Sequence, residues 1–230
     1  LRIPRHVQIP NVARRSAGIA MHVLIIVATG GTGRELVKEA LERGHDVTAL
    51  VRQPEKLRIT HERLRVVRGD VLNYDSVVDA MRGQGAVFCA LGHKQWFRPT
   101  RILSDGTRNI LRAMQSAGVK RFVGETSLGV GDSFGRLGLY YTLFTIPFIL
   151  PFYFWDKGRQ EAVIRASDLD WIIVRPAALT NFRARGQYRH GPKIGNYLWT
   201  DCISRADVAD FMLNQLTDDT YLRKTPGVSW

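Results

Sequence analysis

Short apolar runs alternate with amphipathic stretches along most of the chain. The apolar runs have the length of buried strands, and we predict six of them, at 21–27, 46–51, 64–68, 86–91, 120–125 and 171–174. Hydrophobic positions at helical spacing predict helices at 35–43, 76–81, 103–117, 157–167 and 205–216. Regular alternation of strand and helix is typical of a parallel sheet covered by helices on both faces. The expected fold class is therefore α/β, a doubly wound parallel sheet in a single domain.

Capping residues support the second and fifth predicted helices. Asn73 or Asp75 is expected to cap the second helix, because short polar side chains accept hydrogen bonds from first-turn N–H groups. Ser204 is expected to cap the fifth, with Asp207 at the third helical position much as in a capping box.

Two segments do not follow the alternation. Residues 1–20 are basic, contain prolines and lack apolar periodicity, so we expect a disordered extension in front of a domain at 21–230. Residues 137–155 are almost entirely apolar and aromatic, but Pro147 and Pro151 interrupt them. No integral membrane segment is predicted there. A loop and helix that cover a pocket or an interface are expected, with contact to a membrane surface as the lesser alternative.

The charge of the chain indicates an anionic partner. The net charge is +12, which suits a phosphorylated cofactor or an acidic small-molecule substrate. Nucleic acid is not expected, because no helix-turn-helix, zinc knuckle or aromatic RNA platform is evident. The two cysteines, Cys89 and Cys202, suggest no disulfide framework, so a cytoplasmic location is expected. The histidines are scattered without metal-ligand spacing, so no metal site is predicted.

A glycine cluster follows the first predicted strand and opens a helix-like stretch. It consists of Thr29, Gly30, Gly31, Thr32 and Gly33. Such a turn lets backbone N–H groups approach a phosphate at the positive end of a helix dipole, which indicates a dinucleotide cofactor. The spacing calls for glycine three residues before Gly30, where this chain has Val27. A β-branched residue there should resist a positive φ and crowd the turn. The alternative is an ordinary strand–loop–helix turn.

Residues at the ends of the next three strands fit the same cofactor. Arg52 ends the second strand, where an arginine suits the 2′-phosphate of NADP(H); a solvated arginine is the alternative. Asp70 could accept from an adenine amino group while Val71 packs on the ring, although an aspartate that caps a turn is nearly as good an interpretation. Leu91 and Gly92 follow the fourth strand, where small residues let a cofactor cross the sheet edge.

Three further residues could form a proton-transfer site. Ser127 follows the fifth strand, and Tyr153 and Lys157 are four residues apart, so on a helix they share a face. The phenol would be the general acid, the ammonium would stabilise the phenolate and hold the nicotinamide ribose, and the serine would orient the substrate. Tyr153 could equally be one more aromatic residue in an aromatic-rich segment.

Taken together, these motifs resemble the short-chain dehydrogenase/reductase superfamily, and more closely its atypical branch with NmrA-like proteins and biliverdin reductase B-type flavin reductases. The resemblance covers about residues 21–227 and implies a Rossmann-like NAD(P)-binding fold. It also implies nicotinamide-side contacts from Leu91, Gly92, Thr126, Ser127 and Pro176. Two departures are Val27 in place of a glycine, and alanines at 177 and 178 where biliverdin reductase B has a histidine.

The function expected from this resemblance is hydride transfer from NADPH to a planar acceptor such as a flavin, quinone or tetrapyrrole. Residues 127–155 and 176–203 would form part of the substrate pocket, and the protein would be a monomer or weak homodimer. One alternative is a non-catalytic NADP(H) sensor of NmrA type. A sugar-nucleotide epimerase or dehydratase is a second alternative, although its extra substrate domain is too large for the residues that remain after the sixth strand.

Overall fold

Six parallel strands form the centre of the main sheet. In the computed structural model, the described residues are 7–8, 20–93, 95 and 98–230. The six strands are β1 (His22–Ile26), β2 (Asp46–Val51), β3 (Leu64–Arg68), β4 (Ala86–Cys89), β5 (Arg121–Glu125) and β6 (Asp170–Pro176). Their spatial order is β3-β2-β1-β4-β5-β6. Successive strands are added towards one edge of the sheet up to β3 and towards the other edge from β4 onward, so the order reverses between β1 and β4. Ligands of doubly wound sheets bind at the carboxyl ends of strands at such a point.

Four further short strands follow β6 in the chain, and two of them extend the sheet. They are β7 (Ala178–Thr180), β8 (Arg189–Gly191), β9 (Cys202–Ser204) and β10 (Gly227–Ser229). Strand β10 pairs parallel to β6 and antiparallel to β8, while β7 and β9 form a separate parallel pair. The sequence did not predict these strands, because three residues are too few to show an alternating pattern.

Five α-helices cover the two faces of the sheet. They are α1 (Gly31–Glu42), α2 (Tyr74–Met81), α3 (Ile102–Ala117), α4 (Pro151–Arg165) and α5 (Arg205–Asn214). Helices α1 and α5 pack together on one face, and α2, α3 and α4 on the other. Alternate residues of β1 point to opposite faces, so Val23 and Ile25 meet α1 while Leu24 and Ile26 join the other cluster. The predicted doubly wound α/β fold is confirmed.

Both predicted helix caps are confirmed. Asn73 accepts hydrogen bonds from the N–H groups of Asp75 and Ser76 at the start of α2. Ser204 accepts from the N–H of Asp207 at the start of α5. Helix α4, however, begins at Pro151, six residues before the predicted start. Proline is tolerated in the first turn of a helix, where its missing N–H would have no partner.

Of the two segments that do not follow the alternation, 137–155 is described in full and 1–20 only in small part. A π-helical segment, Tyr141–Ile149, leads directly into α4, so 137–155 is largely helical. The predicted disordered extension at 1–20 lies outside the described residues, except for residue 20 and for Val7–Gln8, which pairs with Ile59–Thr60. Within the described part of the chain, no helix has both the length and the apolar composition needed to cross a bilayer.

Candidate cofactor-binding and catalytic site

The turn after β1 is tight and contains a strained valine. Val27 has a φ of +63°, in the left-handed region that β-branched residues avoid. Its N–H donates to the Leu50 carbonyl at 3.1 Å, and its own carbonyl accepts from Gly30 N–H at 3.0 Å. A Cβ on Gly33 would collide with that same carbonyl, so only glycine fits where α1 approaches β1. The turn thus has glycine-type geometry, with a cost at Val27 of about 1–3 kcal/mol.

The first turn of α1 is prepared for an anion. Gly30 provides no side-chain cap, and no acidic residue lies in the first turn, so first-turn N–H groups remain available. The Arg205 side chain lies directly over this turn: a Cβ on Gly31 would come within 2.5 Å of its Nε. Arg205 also donates to Asn181 Oδ1 at 2.7 Å. The sequence analysis missed Arg205, and its position immediately after the capping Ser204 is the only local signal for it.

A cleft of about 490 Å³ opens along the carboxyl ends of β1, β2 and β4. Seven of the predicted cofactor-binding residues line it, namely Thr29, Gly30, Arg52, Asp70, Val71, Leu91 and Gly92. Lys56, which the sequence analysis did not single out, joins Arg52 there and adds a second cation. Asp70 Oδ1 accepts from Leu72 N–H at 3.0 Å, so the turn-capping interpretation of this aspartate also holds. The other predicted residues lie outside this cleft, with Gly31, Thr32 and Gly33 in the first turn of α1.

Tyr153 and Lys157 meet at the end of the cleft formed by Leu91–His93. Lys157 is only 2% exposed, and its Nζ donates to the carbonyls of Leu91 and Glu125 at 3.1 and 3.0 Å. Nζ lies 5.6 Å from the centroid of the Tyr153 ring. The Tyr153 hydroxyl lies over Gly92, 3.5 Å from where a Cβ would stand. The predicted pair therefore shares one helix face and packs against Leu91 and Gly92, which line the cleft.

His93 is a second residue that the sequence analysis missed. Its ring packs edge-on against Tyr153 with centroids 5.1 Å apart, and it lines the cleft. The pKa of His93 is lowered, mainly by burial. The charge of Asp156 opposes this shift, and the charge of Lys157 adds to it. Nδ1 accepts from Gln95 N–H at 3.1 Å, which leaves Nε2 to donate to Thr100 Oγ1 at 3.2 Å. A neutral imidazole thus supports one side of the tyrosine.

The residues after β5 lie beside the same helix. The Ser127 hydroxyl donates to the Leu128 carbonyl at 2.8 Å. Thr126 is buried and donates to Glu161 Oε1 at 2.8 Å. Pro176 is buried at the end of β6, where its carbonyl accepts from Leu128 N–H. Thr126 and Pro176 therefore anchor the loop, and Ser127 is the partly exposed residue among the three.

A buried carboxylate lies between the α1 turn and α4. Glu125 ends β5, accepts from Thr32 Oγ1 at 3.1 Å, and is 6% exposed. Burial raises the pKa of Glu125, and the nearby cations Lys157 and Arg205 offset that rise only in part. No sequence motif predicted a role for Glu125, because a single acid at the end of an apolar strand does not reveal which side chains lie near it.

An ion pair behind the site fixes α4 to β6. Arg175 donates from Nε and Nη2 to the two oxygens of Glu161 at 2.9 and 2.6 Å, and both side chains are buried. Arg175 Nη1 donates to Asp132 at 2.7 Å. Bidentate pairing of this kind is geometrically demanding. It holds the helix that carries Tyr153 and Lys157 against the sheet.

Comparison with known proteins agrees with this geometry. Residues 28–219 match the family described as NAD(P)H-binding. An uncharacterized chloroplastic protein of Arabidopsis thaliana is 30% identical over 210 residues, which are 86% of this chain and 72% of that protein. Protein TIC 62 of Pisum sativum is 29% identical over 90% of this chain, but the match spans only 41% of that relative.

Solved structures share the fold over nearly the whole chain. A short-chain dehydrogenase/reductase from Veillonella parvula in complex with NADP is 21% identical, with a TM-score of 0.76 over 92% of this chain and 95% of that one. The anaerobillin reductase ChuY from Escherichia coli O157:H7 is 24% identical, with a TM-score of 0.73 over 90% and 96%. The resemblance indicated by the sequence motifs is confirmed: this chain belongs to the NAD(P)H-binding family, with the Rossmann-like fold of the atypical short-chain dehydrogenases/reductases.

Proposed function

We propose that this protein is an NADPH-dependent reductase that transfers a hydride to a planar oxidised acceptor such as a flavin, quinone or tetrapyrrole. The observation that carries the proposal is the continuity of the cleft. It runs from two cations, Arg52 and Lys56, to the loop against which Tyr153 and Lys157 pack. One end suits a phosphate, and the other suits a proton transfer.

The residues present fit a dinucleotide. In our proposal the first-turn N–H groups of α1 and the guanidinium of Arg205 hold the pyrophosphate. Arg52 and Lys56 hold a 2′-phosphate, which favours NADP(H) over NAD(H). Glu55, the nearest acid after Arg52 in the chain, lies in an exposed turn and not among the residues that line the cleft. When bound, the nicotinamide supplies the hydride.

The chain's own residues supply the proton and the positioning. The carbonyls of Leu91 and Glu125 engage two of the three N–H donors of Lys157, which leaves one for a ribose hydroxyl. In our proposal the Tyr153 hydroxyl gives its proton to the reduced acceptor, with the Lys157 ammonium 5.6 Å from the centroid of the tyrosine ring. Ser127, which follows β5 and is partly exposed, orients the acceptor. Water replenishes the proton on Tyr153, and the acceptor gains a hydride and a proton in total.

Cofactor titration tests the first half of the proposal. We expect NADPH to bind more tightly than NADH, and Arg52→Ala to weaken NADPH binding by about 1.5–3 kcal/mol while NADH binding is unchanged. Arg58→Ala is the matched control, because Arg58 is also exposed but lies outside the cleft. Equal affinities for the two cofactors in the parent protein would contradict the assignment of Arg52.

Turnover tests the second half. With quinones, flavins and tetrapyrroles as acceptors, Tyr153→Phe should lower the rate of NADPH oxidation roughly 10²-fold and leave NADPH affinity nearly intact. Lys157→Met should lower both, because Lys157 has a binding role and an electrostatic role. Tight NADPH binding without oxidation in the presence of any of these acceptors would favour the sensor alternative instead.

A further inference from the structure

A broad aromatic surface covers one end of the molecule. It consists of the exposed apolar side chains of 134–155 and 197–199, which we call the aromatic surface. Phe148 and Trp199 are each 73% exposed, and Leu198 and Tyr140 are 66% and 64% exposed. Of the nine residues in the π-helical segment, only Thr145 is buried. Scattered exposed apolar residues are ordinary, but a contiguous set of this kind marks an interaction site.

The two halves of this surface are joined by direct contacts. Leu139 N–H donates to the Leu198 carbonyl at 3.3 Å. Asn196 N–H donates to the Arg136 carbonyl at 2.9 Å, and a β-bridge pairs Leu137 with Asn196. The loop that carries Trp199 is thus held beside the start of the aromatic segment, and the aromatic surface is one surface.

The charges around this surface have a single sign. Segments 133–155 and 191–200 contain no Asp or Glu, but they contain Arg136 and Lys193. Arg159 adds a third cation, stacked 4.8 Å from the centroid of the Trp155 ring. Of the flanking acids, Asp132 is paired with Arg175, Asp201 is paired with Arg189, and Asp156 is fully buried. The occupant of the surface should therefore be apolar at its centre and anionic at its margin.

We propose that the aromatic surface docks this protein on the interface of an anionic lipid bilayer. Tryptophan, tyrosine and phenylalanine side chains partition into the headgroup region, and flanking Lys and Arg are attracted to anionic lipids. A second copy of the chain fits less well, because a two-fold contact through this surface would bring like charges together. Docking would set the first turn of α4, which carries Tyr153, against the bilayer.

Vesicle co-sedimentation of the full chain tests the proposal. We expect binding to vesicles that contain phosphatidylglycerol, weaker binding to phosphatidylcholine alone, and release by high salt. Phe148→Ser and Trp199→Ser should each weaken binding roughly tenfold. Val66→Ser is the control, since Val66 is an exposed apolar residue on β3, at the opposite edge of the sheet.

Charge-reversal variants measure the electrostatic contribution to vesicle binding. Lys193→Glu should weaken binding to anionic vesicles, whereas Arg65→Glu, an equal charge change on exposed β3, should not. Circular dichroism confirms that each variant is folded. Absence of vesicle binding, or equal loss in the control variants, would overturn the proposal. So would a dimer in analytical ultracentrifugation that Phe148→Ser dissociates, because the surface would then belong to a second copy.

Discussion

Helices α1 and α4 cover opposite faces of the same sheet and bury opposite chemistry. The buried face of α1 is apolar, with Leu36, Val37, Ala40 and Leu41 against the sheet. The buried face of α4 consists of Asp156, Lys157, Gln160 and Glu161 together with Ile164. The exposed side of α4 carries Phe152 and Trp155. Between Phe152 and Glu161, the usual arrangement of apolar inside and polar outside is thus inverted.

The partners of the α4 residues explain how this inversion is tolerated. Asp156 accepts from the N–H groups of Leu103 and Ser104. Further along the helix, Lys157 donates to the Leu91 carbonyl, and Glu161 accepts from Arg175. Burying a charge without such partners costs several kcal/mol. Helix α1 therefore stabilises the fold by burying apolar side chains. The buried face of α4 instead holds polar groups in fixed positions, as a site requires.

The largest expected effect on stability comes from removing one partner of the buried ion pair on α4. Glu161→Gln should lower the free energy of unfolding by about 3–5 kcal/mol, because Arg175 would keep its charge in a buried place without its bidentate partner. Urea unfolding measures this. The double variant Glu161→Leu/Arg175→Met should recover most of the loss, and a single-variant loss below about 1 kcal/mol would contradict the buried-pair interpretation.

The apolar side should respond by a different mechanism. Leu36→Ala on α1 removes a fully buried side chain and should cost about 2–5 kcal/mol in the same unfolding experiment. The loss arises from a cavity, so no second polar substitution should restore it. Leu72→Ala, at an exposed leucine, is the stability control and should stay within about 0.5 kcal/mol.

A smaller effect of opposite sign is expected just before α1. Val27→Gly should stabilise the protein by about 1 kcal/mol, because relief of the positive φ exceeds the entropy cost of glycine. The same variant should tighten NADPH binding, since the valine side chain lines the cleft at the phosphate turn. Unchanged unfolding and unchanged affinity would show that the turn accommodates valine without strain.

The smallest effect concerns pH and the carboxylate between the two helices. Burial raises the pKa of Glu125, so its contribution to stability is present at low pH and is lost as pH rises through the raised value. Glu125→Gln should therefore raise the melting temperature at pH 8, and the difference should disappear below about pH 4. Glu55→Gln, in an exposed turn, is the control. A variant that is less stable than the parent at pH 8 would show that the ionised form of Glu125 stabilises the fold.

The comparison of α1 with α4 also explains which parts of the molecule the sequence could predict. Strands β1–β6 lie within two residues of their predicted ends. Five of them are largely buried, and only the edge strand β3 is largely exposed. Helix α4 was predicted six residues short, because the residues from Pro151 to Trp155 are apolar or aromatic throughout and therefore show no apolar periodicity. The same limit applies to the site. Residues at the ends of successive strands predicted the lining of the cleft, but no local pattern joins Arg205 to Gly31 or His93 to Tyr153.

Two adjacent residues of α4, Asp156 and Lys157, clamp two different parts of the molecule. Asp156 holds the first turn of α3, and Lys157 holds the carbonyls at the ends of β4 and β5. A displacement of this part of α4 therefore has to break both sets of hydrogen bonds. First-turn amides usually exchange quickly with solvent, yet those of Leu103 and Ser104 should exchange as slowly as the amides of the central strands. On the timescale of hydrogen exchange, the floor of the cleft and the start of α3 behave as one cooperative unit.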